Sequence, residues 1–84
     1  MLKKKEKLVE KDLLLILRKI LNLKKFTEIQ LKRVHKNDIK HWDSLITINL
    51  IVALEENFKI KFSDNEAVKL ISYPLILQIL KKKI

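Results

Sequence analysis

The chain has 84 residues without a single glycine, and its one proline is Pro74, so it has few ways to turn back on itself. Two-residue hairpins need backbone at positive φ, which glycine adopts freely and asparagine and aspartate tolerate. A sheet of tight hairpins is therefore a poor solution, whereas helices joined by capped turns ask for much less. The sequence reads as all-α. Hydrophobic residues make up 48% and charged residues 35%, the balance of a folded domain rather than a disordered tail. The length suits one domain over residues 1–84 with a small core.

Cysteine is absent, which excludes disulfides, thiolate metal sites and a cysteine nucleophile. The opening "MLKKKEKLVEKDLLLILRKIL" imitates a secretion signal, with lysines ahead of Leu13–Leu17. The apolar run stops after five residues at Arg18, and no small-residue cleavage site follows. A cytoplasmic protein is the expectation.

Spacing predicts a first helix from about Glu6 to Leu23, with Val9, Leu13, Ile16, Leu17 and Ile20 on one apolar stripe and Lys7, Lys11, Arg18 and Lys19 off most of it. Residues 24–43 have weak periodicity and read as a long loop, in which Thr27 and Gln30 can cap a short turn. A second helix is expected from Ser44 to about Asn57. "FKIKF" reads as an extended connector that tucks Phe58, Ile60 and Phe62 inward. "SDNE" at 63–66 is a capping box for a short third helix to about Ile71. "SYP" at 72–74 opens a fourth, with Ser72 as N-cap and Pro74 in the first turn, and Lys81–Lys83 suit its C-terminus.

The second helix carries two apolar stripes. Leu50, Leu54 and Phe58 make one, with Ile51 beside it and Ile46 at its edge, and this is the expected core face. Leu45, Ile48 and Val52 make the other, which a chain this small has few elements to cover, so it is expected to meet a partner. At the start of that helix either Asp43 or Ser44 can serve as N-cap. A helix N-terminus also favours an anion, so a phosphodiester on Ser44 would sit in a favourable field, and Asp43 could help a modifying enzyme hold Mg²⁺.

The stretch "WDSL…LIVALEENFKIKFS", an apolar helix opening at a DSL serine and followed by a capped short helix, resembles the acyl carrier protein family over most of the chain and most strongly over 42–80. The resemblance implies a four-helix bundle with a long first loop and a short third helix. It implies that Ser44 carries 4′-phosphopantetheine, donated covalently from coenzyme A, with Asp43 as the adjacent motif acid. It assigns Leu45, Ile48, Val52, Glu55 and Glu56 to partner binding, the two glutamates facing arginines on a docking enzyme. The implied partners are a phosphopantetheinyl transferase, an acyl- or aminoacyl-activating enzyme and acyltransferases. The chain itself would be a non-catalytic, monomeric carrier in fatty acid or secondary metabolite biosynthesis. It departs from the family pattern at His41, where a glycine usually stands two residues before the DSL, and at Ile46 and Asn49, where acids are frequent. These departures point to a specialised member rather than a housekeeping one.

Charge supports a second reading. The net charge is +9, and residues 1–42 hold 13 Lys and Arg against 5 Asp and Glu. Residues 43–66 reverse the sign, with Asp43, Glu55, Glu56, Asp64 and Glu66 against Lys59 and Lys61. A small basic helical protein could bind nucleic acid or an anionic membrane surface. The lysines spread over helix, loop and tail, with no recognition helix and no aromatic stacking platform, so specific nucleic-acid binding is not expected. His35 and His41, six apart, do not match a metal-ligand spacing and are expected to be loop residues. Trp42 is expected to plug the core against the first helix. No nucleophile, base and orienting group assemble, so no catalysis and no metal are expected.

Overall fold

The structure is a computed structural model that describes the backbone of residues 2–84 and the side chains of residues 8–84. Five helices follow in order: α1 (Leu2–Ile20), α2 (Glu28–Lys32), α3 (Ser44–Phe58), α4 (Asp64–Ala67) and α5 (Tyr73–Lys83), with a 3₁₀ turn at Lys36–Asp38 between α2 and α3. The all-α expectation holds. The expected count of four helices does not, because the segment read as a long loop contains α2. There the Thr27 hydroxyl accepts from the Gln30 N–H at 3.2 Å while Gln30 Oε1 accepts from the Thr27 N–H at 2.8 Å. This reciprocal cap satisfies two helix-end donors, and Leu31, fully buried, anchors the single turn it supports.

Boundaries shift as well. The first helix runs from Leu2 to Ile20 rather than from Glu6 to Leu23, and α3 extends one residue past Asn57. The third helix stops at Ala67 instead of reaching Ile71. There the chain leaves the helix to pair with the α2–α3 segment, where the Lys36 N–H donates to the Ile71 carbonyl at 2.7 Å and the Tyr73 N–H to the Val34 carbonyl at 3.3 Å. The caps at Ser63 and Ser72 form as read, the hydroxyls accepting from the N–H groups of Glu66 and Leu75.

Without glycine, both long helices still end in the left-handed turn that glycine usually provides. At the end of α1, Asn22 has φ 54°, the Leu23 N–H reaches back to the Arg18 carbonyl, and the Asn22 N–H reaches the Lys19 carbonyl. Asparagine tolerates this backbone, as the sequence reading required. At the end of α3 the same place is held by Lys59, with φ 56° and ψ 49°, while the Ile60 N–H bonds the Glu55 carbonyl. A lysine there was not anticipated. Its Cβ crowds the backbone, so the turn must be held by its surroundings. Half-buried Phe58, Ile60 and Phe62 pack against the core on either side of it, and the Phe62 N–H donates to Glu55 Oε2 at 2.9 Å. The connector thus tucks inward as expected.

The core is built around α1, which packs against α2, α3 and α5. Val9, Leu13 and Leu17 are buried, Ile16 and Ile20 pack half-buried at the edge, and Leu14, Leu21 and Leu23 are buried too. Lys11 and Lys19 are exposed, whereas Lys7 lies outside the residues whose side chains are described. Leu50 and Leu54 of α3 are fully buried, as are Leu31, Leu70, Ile76 and Leu80. Tyr73 joins the two ends of the chain. Its hydroxyl donates to Glu10 Oε1 at 3.1 Å, and burial, followed by the nearby Glu10 carboxylate, holds the phenol protonated well above its ordinary range. Glu66 closes the opposite corner. It accepts from the Ser63 N–H at 2.9 Å and pairs with Lys83 Nζ at 2.9 Å, and these two contacts lower its carboxyl pKa.

Two substitutions separate packing from backbone strain. Leu54→Ala is expected to cost about 2–5 kcal/mol in chemical denaturation, because a fully buried side chain leaves a cavity. Lys59→Gly is expected to raise stability by roughly 0.5–1 kcal/mol, since it removes the Cβ from a left-handed position. A loss on Lys59→Gly would mean that the lysine side chain contributes more than its backbone strain costs.

Candidate functional site

The start of α3 is set by one hydrogen-bonded chain. Trp42 is only 3% exposed, and its indole N–H donates to Thr47 Oγ1 at 3.1 Å. The Thr47 hydroxyl donates in turn to the Asp43 carbonyl at 2.9 Å, beside the first helical bond from the Thr47 N–H. Asp43 Oδ1 then accepts from the Ile46 N–H at 2.9 Å. The sequence left the cap open between Asp43 and Ser44, and Asp43 takes it. Ser44 becomes the first helical residue, exposed to solvent, with its hydroxyl outside the cap.

From Ser44 the helix presents Leu45, Ile48 and Val52 outward, 65%, 56% and 47% exposed. The opposite stripe turns inward, with Leu50 and Leu54 buried and Ile46, Ile51 and Phe58 half-buried against the core. The division of α3 into two apolar faces is therefore as the spacing indicated. Val52 borders a shallow groove shared with Glu55, Glu56, Lys59, Ile60 and Lys61.

The two glutamates expected on this face differ. Glu56 is exposed. Glu55 is partly withdrawn, its Oε2 held by the Phe62 N–H and its Oε1 4.0 Å from Lys61 Nζ. The geometry makes Glu55 a brace for the connector rather than a free acid for a partner's arginines. A capping-like carboxylate seven residues before its donor has no local sequence signature, so the spacing could not reveal it.

Both histidines serve the backbone. His35 Nδ1 accepts from the Asn37 N–H at 3.0 Å and caps the 3₁₀ turn. His41 Nε2 hydrogen-bonds the Leu21 carbonyl, which ties the approach to α3 to the end of α1. Among the described residues no group of three or more His, Cys, Asp and Glu side chains is placed to hold a metal ion, and no helix is long and apolar enough to cross a membrane.

No family model, curated protein or solved structure matches this chain. What can be said of the site rests on its own residues: a solvent-facing serine hydroxyl on the first turn of a helix, an acid that caps that helix, and an uncharged apolar stripe running away from the serine.

The capping assignment has a direct test by thermal or urea unfolding. Asp43→Ala is expected to lose about 1 kcal/mol, and Ser44→Ala less than about 0.5 kcal/mol. The reverse ranking would return the cap to Ser44.

Proposed function

We propose that the chain is an acyl carrier protein, with a 4′-phosphopantetheine arm attached to Ser44 and an acyl or aminoacyl group presented to partner enzymes. One observation carries this reading above the others: the serine of the DSL motif is exposed and free of the cap at the very start of a helix whose outer face is apolar. A residue whose only role was capping would be engaged at the helix end, and here Asp43 fills that role.

The residues fit the group. The hydroxyl of Ser44 is open to a transferase, and the first-turn N–H groups of α3 favour the negative charge of a phosphodiester there. The arm, when attached, supplies a terminal thiol that holds the cargo as a thioester. The contribution of the chain is carriage. Ser44 fixes the point of attachment, and Leu45, Ile48 and Val52 offer a docking stripe beside it. Docking raises the effective concentration of cargo at the partner without a new catalytic group. The bundle of the carrier family would then include α2 as an elaboration of its first long connection. Glu56 would remain the acid available to a partner, with Glu55 holding the connector.

Co-expression with a broad-specificity phosphopantetheinyl transferase is expected to add one 4′-phosphopantetheine to the chain and none to Ser44→Ala, read by intact-mass spectrometry. Val52→Asp should keep the wild-type melting curve, since the side chain is exposed, while loading slows. A wild-type mass unchanged by several transferases that load control carriers would sink the proposal. Submicromolar, sequence-selective nucleic-acid binding at roughly 150 mM salt, without transfer, would favour the basic-protein reading instead.

A further inference from the structure

The first helix carries an apolar stripe that the core does not use. Inward, α1 buries Val9, Leu13 and Leu17. Outward, Leu8 and Leu15 remain 60% and 58% exposed. They are seven residues apart, two turns along the same line, roughly 10 Å from one to the other. At 100° per residue Lys11 and Arg18 flank this line on one side and Lys19 on the other. Lys11 and Lys19 are exposed, and Arg18 is half-buried.

The neighbouring acids are engaged elsewhere. Asp12, at the far edge of the face, accepts from Asn57 Nδ2 of α3 at 3.3 Å. Glu10 accepts from the Tyr73 hydroxyl and, half-buried, lines the groove beside Lys11 and Arg18. Between α1 and α2 an open groove joins Leu15 and Arg18 to Lys32, which bridges Glu28 at 3.6 Å. The outer line of α1 over residues 8–20 is thus two exposed leucines flanked by Lys11, Arg18 and Lys19, with a single acid, Asp12, at its edge.

We propose that this face is a docking surface for an anionic lipid bilayer. Its chemistry selects that partner over a polynucleotide. Phosphate ridges would satisfy the cations but leave Leu8 and Leu15 against charge, whereas a bilayer interface accepts both. The leucines enter the boundary of the acyl chains while the Lys and Arg stems reach outward so that their charges meet headgroup phosphates. A helix of 19 residues lying along a body of 37 × 29 × 18 Å can rest on a surface without unfolding any core contact. The inference stands apart from the role of Ser44, which belongs to α3.

Co-sedimentation with vesicles tests it, using the whole 84-residue chain. Binding is expected to vesicles of phosphatidylcholine with phosphatidylglycerol, not to phosphatidylcholine alone, and should weaken as salt rises. The double variant Leu8→Ser/Leu15→Ser is expected to bind roughly tenfold more weakly while its circular-dichroism melt is unchanged. Lys11→Glu/Lys19→Glu should weaken binding as well, and Ser44→Ala should bind like the wild type. The proposal is overturned by an absence of binding to anionic vesicles at low salt, by equal binding to neutral ones, or by a leucine variant that folds and binds undiminished. Tighter binding to duplex DNA than to vesicles at the same salt would also overturn it.

Discussion

The buried indole N–H of Trp42 must find an acceptor inside the protein, and the site at the start of α3 depends on where it finds one. It finds Thr47, whose hydroxyl passes the bond to the Asp43 carbonyl. That places Trp42 in the core, Asp43 at the cap and Ser44 one step into the helix, facing water. The rotation of α3 follows. With Leu50 and Leu54 directed inward, Leu45, Ile48 and Val52 can only point out. His41, one residue earlier, fastens the same entry to the end of α1. An exposed serine at the head of the helix and an outward apolar stripe are therefore consequences of one anchored tryptophan.

A chain of 84 residues cannot cover everything apolar that it contains. Helices α1 and α3 each bury one stripe and leave another in solvent. Single exposed leucines are ordinary on a protein surface. Two aligned stripes on the two longest helices, one uncharged and one edged with cations, are harder to assign to chance. The stripe on α3 is made of uncharged Leu45, Ile48 and Val52, whereas the pair on α1 is edged by Lys11, Arg18 and Lys19. Glu56 is the one exposed acid of α3, beside half-buried Ile46 and exposed Asn49, which carry no charge.

Much of the fold was legible because its signals are local. A hydroxyl three residues before a Glu or Gln, or two before a first-turn Pro, announces a cap, and the caps at Thr27, Ser63 and Ser72 all form. Apolar spacing separated the inner and outer faces of α3 because a helix converts position into direction at a constant rate. Within residues 24–43 the Thr27–Gln30 capping box marks a short turn, but α2 spans only five residues, too few for periodicity to register it as a helix. The third helix ended early for a nonlocal reason, the pairing of Ile71 and Tyr73 with the α2–α3 segment.

The sequence by itself determined that the chain is helical, where most of its helices begin, and which serine stands at the head of the apolar helix. All of these follow from glycine-free composition, capping chemistry and helical spacing. Only the tertiary structure decided that Asp43 rather than Ser44 caps α3, because both can cap and the choice turns on how Trp42 and Thr47 hold the entry. It alone decided that Glu55 braces the connector, and that Lys59 accepts a left-handed turn, since packing at Phe58, Ile60 and Phe62 outweighs a local preference. A local rule can name the candidates for a position, but only contacts between distant residues choose among them.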